Sequence, residues 1–411
     1  MQIIANLRKE FSFIQGNYLI LVVSWILMDF AMELPGTYYP RYVEELAGSP
    51  TIVGVIGFAS FLALASVQFP GGYLADKYGR RWLISTMTFG VALSYIFYAI
   101  APIWHFIFLG AMIGNFCLLY QPALLAMIAD SLPSERRGMG FSIIMLITRV
   151  ATTPAPAVAG LLYSLYGLVP SMRIGYVVVV VLFLIAAALR SRLKETIGEG
   201  GKIDPKELLN SYPKAMKEST EVWNVVPRSM LYLFIAGLFG TFSNAMVMSN
   251  FLFYAKYQLG IGEALWWQLQ TYLVVTIIIL ALPCGKLVDK IGRKIPLLIS
   301  YFIFVPALLL FMYGDLVKLL LALPLVGLAN VLMMATLSSL QADLVPKEQR
   351  GKVIGFTNFV NYVLTALGML AGGFVYEHVN PQLPFFFLLV FLLPQFLITL
   401  LWVHEPEKRE E

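Results

Sequence analysis

Long apolar runs alternate with short polar segments along the whole chain. The runs are about 20 residues long or longer, which is the length that a helix needs to cross the hydrocarbon core of a bilayer. The pattern therefore predicts about twelve membrane-spanning helices, which we number as spans 1 to 12. Their predicted limits are 18–40, 51–74, 82–101, 104–130, 138–166, 171–190, 227–258, 264–287, 294–313, 316–343, 351–378 and 382–403.

The composition is that of a protein with many membrane spans. Of the 411 residues, 59% are hydrophobic and 13% are charged, and the mean hydropathy is +0.77. This balance excludes a soluble globular domain. The three histidines lie far apart in the sequence, so we expect no metal site and no other cofactor. Cys117 and Cys284 fall inside apolar runs, so we expect packing residues rather than a disulfide.

The cations are distributed asymmetrically between the two sets of polar segments. The segments that share one side with the two termini hold 24 of the 29 Lys and Arg residues. Since Lys and Arg are enriched in cytoplasmic loops, we predict a multi-pass protein of the cell membrane with both termini in the cytoplasm. This topology accounts for the net charge of +5, so we expect no nucleic-acid partner. The other five cations are Arg41, Arg173, Lys256 and Lys318 on the opposite side and Arg149 inside span 5.

The sequence contains an internal duplication with a constant separation of 213 residues. The matching segments are 72–81 with 285–294, 129–138 with 342–351, and 159–160 with 372–373. Parallel halves related by an axis along the membrane normal are a known transporter arrangement. We therefore predict an N-terminal six-helix bundle over 1–190, a cytoplasmic linker over 191–226 and a C-terminal six-helix bundle over 227–411. Within the linker, 206–223 fits either a helix on the membrane surface or a solvated segment.

The first copy of the duplicated loop is a known signature. The residues Gly71-Gly72-Tyr73-Leu74-Ala75-Asp76-Lys77-Tyr78-Gly79-Arg80-Arg81 resemble the loop 2–3 motif of the major facilitator superfamily, G-x-L-a-D-r-x-G-R-[RK]. The resemblance covers nearly the whole chain. It implies an all-α membrane fold of two pseudo-symmetric six-helix bundles that rock about a central cavity, in a protein that is a monomer and not an enzyme.

The resemblance also implies a gate on the cytoplasmic side. Asp76 would meet the positive end of a helix from the other half, Arg80 would pair with Asp130, and Arg293 with Asp343. The alternative is a loop that only sets topology. The implied gate residues are Gly72, Asp76, Gly79, Arg80, Asp130, Arg137, Asp289, Arg293, Asp343 and Arg350.

Span 5 resembles, in part, the motif G-P-x-x-G-G of drug:proton antiporters. It has Ala155-Pro156-Ala157-Val158-Ala159-Gly160, in which two glycines are alanines. Pro156 and Gly160, with Gly372 and Gly373 in the second half, are expected to permit close helix packing. The arginine that such antiporters carry in span 4 is absent, because the matching position is Gly110.

Three ionisable residues lie within predicted spans, where charge is costly and is a default indication of function. Asp29 and Glu33 are one helical turn apart in span 1, and Arg149 in span 5 is at a similar depth to Asp29. One interpretation is a structural Asp29–Arg149 ion pair. The other is proton coupling, in which at least one carboxylate gains and loses a proton, with Glu33 favoured if Arg149 keeps Asp29 ionised.

Uncharged polar residues within the spans predict a polar cavity between the halves, where a small amphipathic substrate would bind. For each residue alone, interhelical packing is the alternative. The candidates are Asn115, Tyr120, Gln121, Asn244, Asn250, Asn330, Asn358, Asn361 and Tyr362.

Together these features favour a secondary transporter that uses protons to export a small organic solute, with the lipid bilayer as its surroundings. Two alternatives within transport are a uniporter and a proton symporter of a small metabolite. A different class, a membrane enzyme or a lipid-handling protein on the same scaffold, is disfavoured by the lack of clustered His, Cys and Asp residues.

Overall fold

The computed structural model describes residues 13–133, 137–197, 213, 216–217, 220–224, 226–346 and 349–405. Within these ranges all regular secondary structure is helical, and no strand is present. The observed bounds are Gly16–Gly36 for span 1, Pro50–Tyr78, Arg80–Ala99 and Trp104–Asp130 for spans 2 to 4, Arg137–Thr152 with Ala155–Tyr166 for span 5, Leu168–Arg190 for span 6, Arg228–Met248 for span 7, and Glu263–Ile291, Lys294–Met312, Leu316–Leu344, Arg350–His378 and Leu383–Trp402 for spans 8 to 12.

Eleven of the described helices are long and apolar enough to cross a membrane on their own. The twelfth predicted span, span 5, is broken at Thr153 and Pro154, where the chain makes a two-residue turn. Proline lacks the backbone N–H that would continue the helix, and its ring clashes with the preceding turn. Each piece is therefore too short to span alone, and the two together make the crossing.

Two other spans end before their predicted limits, and a third is irregular within them. Span 1 ends at Gly36 and is followed by a separate short helix, Tyr39–Glu45. Span 7 ends at Met248, and the rest of the predicted run forms the helix Asn250–Tyr257. Span 4 contains a 3₁₀ turn at Leu118–Tyr120, just before a proline. Apolar runs predict these spans well, but they do not mark where a helix changes axis.

The two duplicated hairpins turn at glycines that adopt left-handed backbone angles. Gly79 has φ of 98° and Gly292 has φ of 89°, a region that favours glycine. A carboxylate caps each helix that follows. Glu195 accepts hydrogen bonds from the backbone N–H groups of Arg80 and Arg81. In the second half, Glu405 accepts hydrogen bonds from the backbone N–H groups of Arg293, which precedes span 9, and Lys294, which begins it.

Successive spans run in opposite directions, so the duplicated hairpins, the end of span 6 and the end of span 12 lie on one side of the molecule. We call this side the linker side and the opposite side the far side. Most of the linker itself lies outside the described residues, including more than half of the surface helix considered over 206–223. The described part contains one 3₁₀ turn, Val222–Asn224.

The two halves meet along spans 2 and 11. Near the far side the contact is between backbones, since a Cβ atom at Gly54 would collide with Met369 and one at Gly373 would collide with Pro50. Farther toward the linker side, the rings of Phe69 and Phe359 lie 5.4 Å apart. These two helices therefore hold the halves together over much of the membrane thickness.

Candidate functional site

Cavities lie among the described membrane-spanning helices, and three of them contain predicted site residues. The central cavity, of about 350 Å³, is lined by both halves through spans 1, 5, 7, 8, 9, 10 and 12. The N-half cavity, of about 390 Å³, lies among spans 1, 3, 4 and 6. The C-half cavity, of about 360 Å³, lies among spans 7, 9, 10, 11 and 12. Each is large enough for part of a small organic molecule.

The central cavity combines one acid with a largely apolar wall. Glu33 lines it from span 1, and among the described lining residues it is the one charged side chain. Asn244 and Asn330 line it from the second half, as does Gln270. The remaining wall is mostly Phe, Leu, Val and Trp side chains. Such a surface suits an amphipathic molecule with a small polar part.

The N-half cavity is lined by two charged side chains of opposite sign. Asn115, Tyr120 and Gln121 line it, together with Asp29 and Arg190. Asp29 and Glu33 therefore contribute to different cavities although they are one turn apart in span 1. Arg149 lies in the helix Arg137–Thr152, but its side chain is outside the described part of the structure. The proposed pairing of Arg149 with Asp29 stays a prediction.

The C-half cavity holds uncharged polar groups. Asn361 lines it and accepts a hydrogen bond of 3.2 Å from Thr241 Oγ1. Asn244 borders both this cavity and the central one.

Three predicted cavity residues lie apart from the lining of these cavities. Asn250 is fully buried and donates through Nδ2 to the carbonyl oxygens of Met246 and Gly372, so it joins spans 7 and 11. The ring of Tyr362 packs against Phe61 across the interface of the halves. Asn358 is half-buried in span 11.

On the far side, an ionic cluster joins the two halves. Arg41 is 5% exposed and donates from Nε to Glu263 Oε1 at 2.8 Å, and Lys256 donates to the same oxygen at 2.8 Å. Glu44 and Glu45 also contact the Arg41 guanidinium from the same short helix. We call Arg41, Glu44, Glu45, Lys256 and Glu263 the far-side cluster. Buried charges of this kind are costly unless each is paired, and these are.

Further contacts close the far side around this cluster. The hydroxyl of Tyr38 donates to the carbonyl oxygen of Glu263 at 3.1 Å. The backbone N–H of Thr51 donates to Glu377 at 2.8 Å. A Cβ atom at Gly160 would collide with the indole of Trp267, so span 5 approaches span 8 closely. Pro156 lies in the first turn of the far-side piece of span 5 and lines the central cavity.

Both ion pairs that the resemblance implies on the linker side are present. Arg80 Nη1 contacts Asp130, and Arg293 Nε lies 3.0 Å from Asp343 Oδ2. Arg350 Nε donates to the carbonyl oxygen of Val345 at 3.1 Å. Gly72 lies in span 2 with open space where a side chain would begin. The side chains of Asp76, Arg137 and Asp289 are outside the described part of the structure.

The pKa of Glu195, which caps the first hairpin, is lowered. Burial raises the pKa of Glu195, but hydrogen bonds from the backbone N–H groups of Thr196, Arg81, Arg80 and Ile197 outweigh burial and hold that pKa below its ordinary value of 4.5. The carboxylate therefore stabilises the hairpin while it is ionised.

Sequence reasoning missed two groups of residues. Of the far-side cluster, the sequence analysis identified only Arg41 and Lys256, as separate cations. Glu44 and Glu45 follow Arg41 by three and four residues, a spacing that favours ion pairs on a helix. Arg190 was counted with the loop cations, because it is the last residue of span 6. Its position in the sequence gives no sign that the side chain turns inward.

This arrangement of helical halves around internal cavities is that of a polytopic membrane transporter. A sequence profile described as Major Facilitator Superfamily matches residues 21–278 and 233–411. The chain belongs to this superfamily.

Individual relatives are distant but cover most of the chain. A multidrug resistance protein MdtG from Proteus mirabilis is 22% identical over 400 residues, which is 93% of this chain and 94% of that protein. An uncharacterized MFS-type transporter from Methanocaldococcus jannaschii is 24% identical over 342 residues, covering 80% of this chain and 82% of the relative.

Solved structures of transporters share the fold. The human organic anion transporter MFSD10 (TETRAN) superposes with a TM-score of 0.67 at 18% identity, covering 93% of this chain and 98% of that one. A POT family transporter in complex with 5-aminolevulinic acid gives 0.70 at 12% identity, covering 93% and 94%. At these identities the likeness concerns the fold.

Proposed function

We propose that the protein is a proton-coupled exporter of small amphipathic organic solutes and works by alternating access. The observation that carries the proposal is the central cavity, in which one acid, Glu33, faces a largely apolar wall built by both halves. Glu33 lies three residues before the far-side end of span 1, where it can exchange a proton with the cavity while the wall binds the apolar part of the solute. The similarity to multidrug resistance proteins supports export of organic solutes.

The two sides of the molecule supply the elements that alternation needs. On the far side, Arg41 and Glu263 come from different halves, so their contact must break when that side opens. On the linker side we assign the gate to the duplicated hairpins with their Arg80–Asp130 and Arg293–Asp343 pairs, together with Gly72, Asp76, Gly79, Arg137, Asp289 and Arg350. We place the linker side in the cytoplasm of a cell-membrane protein, from the excess of Lys and Arg there.

The proposed function gives each part of the chain a role. Residues 1–190 and 227–411 act as the two moving bundles and 191–226 as a tolerant linker, in a monomer that needs no cofactor. Within the membrane, we assign proton coupling to Glu33, Asp29 and Arg149. Asn115, Tyr120, Gln121, Asn244, Asn330 and Asn361 contact solute, whereas Asn250, Asn358 and Tyr362 act between helices.

Proton release on solute binding tests this proposal directly. Purified protein in weakly buffered detergent solution is mixed with a panel of fluorescent amphipathic compounds that are cationic, neutral or anionic, and the pH is recorded. We expect at least one compound to displace protons from the wild type, and Glu33→Gln to release fewer. If no compound that binds changes the pH, coupling to protons is refuted, and the protein is a uniporter.

A further inference from the structure

Arg190 is a buried cation that the proposed transport cycle does not use. It ends span 6 and is 1% exposed. Its Nε donates to Ser24 Oγ and its Nη1 to Thr88 Oγ1, both at 2.9 Å. Ser24 and Thr88 each lie eight residues from the linker-side ends of their helices, so the guanidinium is about 12 Å inside the bundle.

Among the described residues, no carboxylate lies beside the charge of Arg190. Its contacts with the described residues are two hydroxyl groups and the face of the Tyr120 ring, whose centroid is 5.3 Å from the guanidinium carbon. Among the described residues no acid lies within 4.0 Å of it. A buried guanidinium that contacts only neutral groups is electrostatically unfavourable, so its position suggests that a negative partner is supplied from elsewhere.

The guanidinium borders the N-half cavity, where a partner could be bound. Asn115 and Gln121 line this cavity with amide groups, and Tyr120 lines it with a hydroxyl. Nη2 of Arg190 makes no hydrogen bond with the described part of the protein, so it remains available as a donor. Trp25, Phe183 and several Leu and Met side chains provide an apolar wall.

The second half shows that the fold itself does not require a cation at this place. The buried positions of spans 6 and 12 match at a separation of 209 residues, and the position equivalent to Arg190 is Thr399, which is also fully buried. Tyr301 occupies the position of Thr88, 213 residues later. The matched pairs are Tyr176 with Phe385, Val179 with Leu388, Phe183 with Leu392 and Arg190 with Thr399.

We propose that Arg190 anchors an anion-binding site in the N-half cavity, which takes a singly charged oxyanion such as the carboxylate or sulfonate of an amphipathic solute. The guanidinium and the nearby amide and hydroxyl groups bind the oxyanion, and the apolar wall binds the rest of the molecule. Asp29 lines the same cavity, which disfavours a second negative charge on the ligand. That this ligand is the transported solute rests on the proposed function; its binding does not.

Two probes of the same shape and different charge test the site. 2-Naphthalenesulfonate and neutral 2-naphthalenesulfonamide are titrated into full-length purified protein by calorimetry, without any gradient. We expect the wild type to bind the sulfonate about tenfold to one hundredfold more tightly, as for a hydrogen-bonded charge pair. Arg190→Gln removes the charge and should abolish that preference. Arg173→Gln, an arginine of the same span that donates to Ala101 at the far side, should keep it.

Two further experiments identify the ligand class and keep the test valid if Arg190→Gln does not fold. If sulfate or chloride displaces the sulfonate, the site takes a free inorganic anion; if neither does, it takes the organic anion, and both results support the site. Should Arg190→Gln fail to fold, Arg190→Lys keeps the charge and must still prefer the sulfonate. Equal binding of the two probes by the wild type or by folded Arg190→Lys, or an unchanged preference in Arg190→Gln, overturns the proposal. Binding through Arg190 without proton-driven movement would instead contradict the proposed function alone.

Discussion

The Arg41–Glu263 contact should determine how often the far side opens. Glu263 Oε1 accepts two charged hydrogen bonds at 2.8 Å, from Arg41 in the first half and from Lys256 in the second. Only the first is lost when the halves separate. Glu263→Gln keeps the size of the side chain and removes its charge.

The free-energy cost of Glu263→Gln can be estimated from the contacts that remain in the variant. A hydrogen bond to a charged group contributes about 1.5–3 kcal/mol. Arg41 retains Glu44 and Glu45 within its own short helix, so the variant leaves no bare buried cation. A loss of about 2 kcal/mol from the far-closed state increases the ratio of far-open to far-closed molecules about thirtyfold.

Distances between spin labels on the far side report this ratio. Labels are introduced at Ile103→Cys, in a far-side loop of the first half, and at Val317→Cys, in the first turn of span 10 in the second half, after Cys117 and Cys284 have been replaced by alanine. Both labelled positions are exposed. Glu263→Gln should add a population at longer distances. Glu45→Gln is the matched control, because its contact with Arg41 lies within one half and survives opening. An unchanged distribution in Glu263→Gln, or an equal change in Glu45→Gln, would refute the reasoning.

Three further predictions concern packing, pH and the linker. Gly372→Ala places a Cβ against the backbone of Met246 and should lower stability by about 1–3 kcal/mol, whereas Gly237→Ala meets open space and should be neutral or stabilising; equal melting temperatures would contradict this. Glu195→Gln should be less stable than the wild type at pH 7, because a carboxyl whose pKa is lowered in the folded protein stabilises it above the ordinary pKa. The difference should begin to shrink near pH 4.5 and vanish below the lowered pKa of folded Glu195. A constant difference would count against the cap, with exposed Glu221→Gln as control. Doubling the length of a flexible loop costs only about 0.6 kcal/mol, so insertion of a Gly-Ser segment at Gly200-Gly201 should preserve transport; loss of transport in a folded protein would show that the linker couples the halves.

The overall architecture is accessible from the sequence because bilayer thickness and helix rise set the length of each apolar run. The length of the apolar run does not predict the break at Pro154, because two shorter helices in span 5 together cross the membrane. A proline inside the apolar run was the one signal of this break. Run length also does not predict the change of axis after Met248, where no proline or glycine marks it.

The candidate site is less accessible, because it depends on contacts between distant parts of the chain. Arg41 and Glu263 are 222 positions apart, and nothing local marks them as partners. Arg190 follows the rule that cations flank the linker-side ends of spans, yet its long side chain reaches back into the bundle. Asp29 and Glu33 were singled out by their charge, and their role in proton coupling stays a prediction. Only the packing of span 1 assigns them to separate cavities.

The central claim is that Glu33 couples solute movement to protons. The direct measurement uses proteoliposomes that are acidic inside and compares, for wild type and Glu33→Gln, accumulation of a panel compound driven by the pH gradient with its exchange in the absence of a gradient. Because Glu33→Gln removes a charge without emptying volume, we expect normal exchange with no accumulation above equilibrium. If Glu33→Gln still accumulates the compound against its gradient at the wild-type rate, Glu33 is not the coupling acid and the account is contradicted.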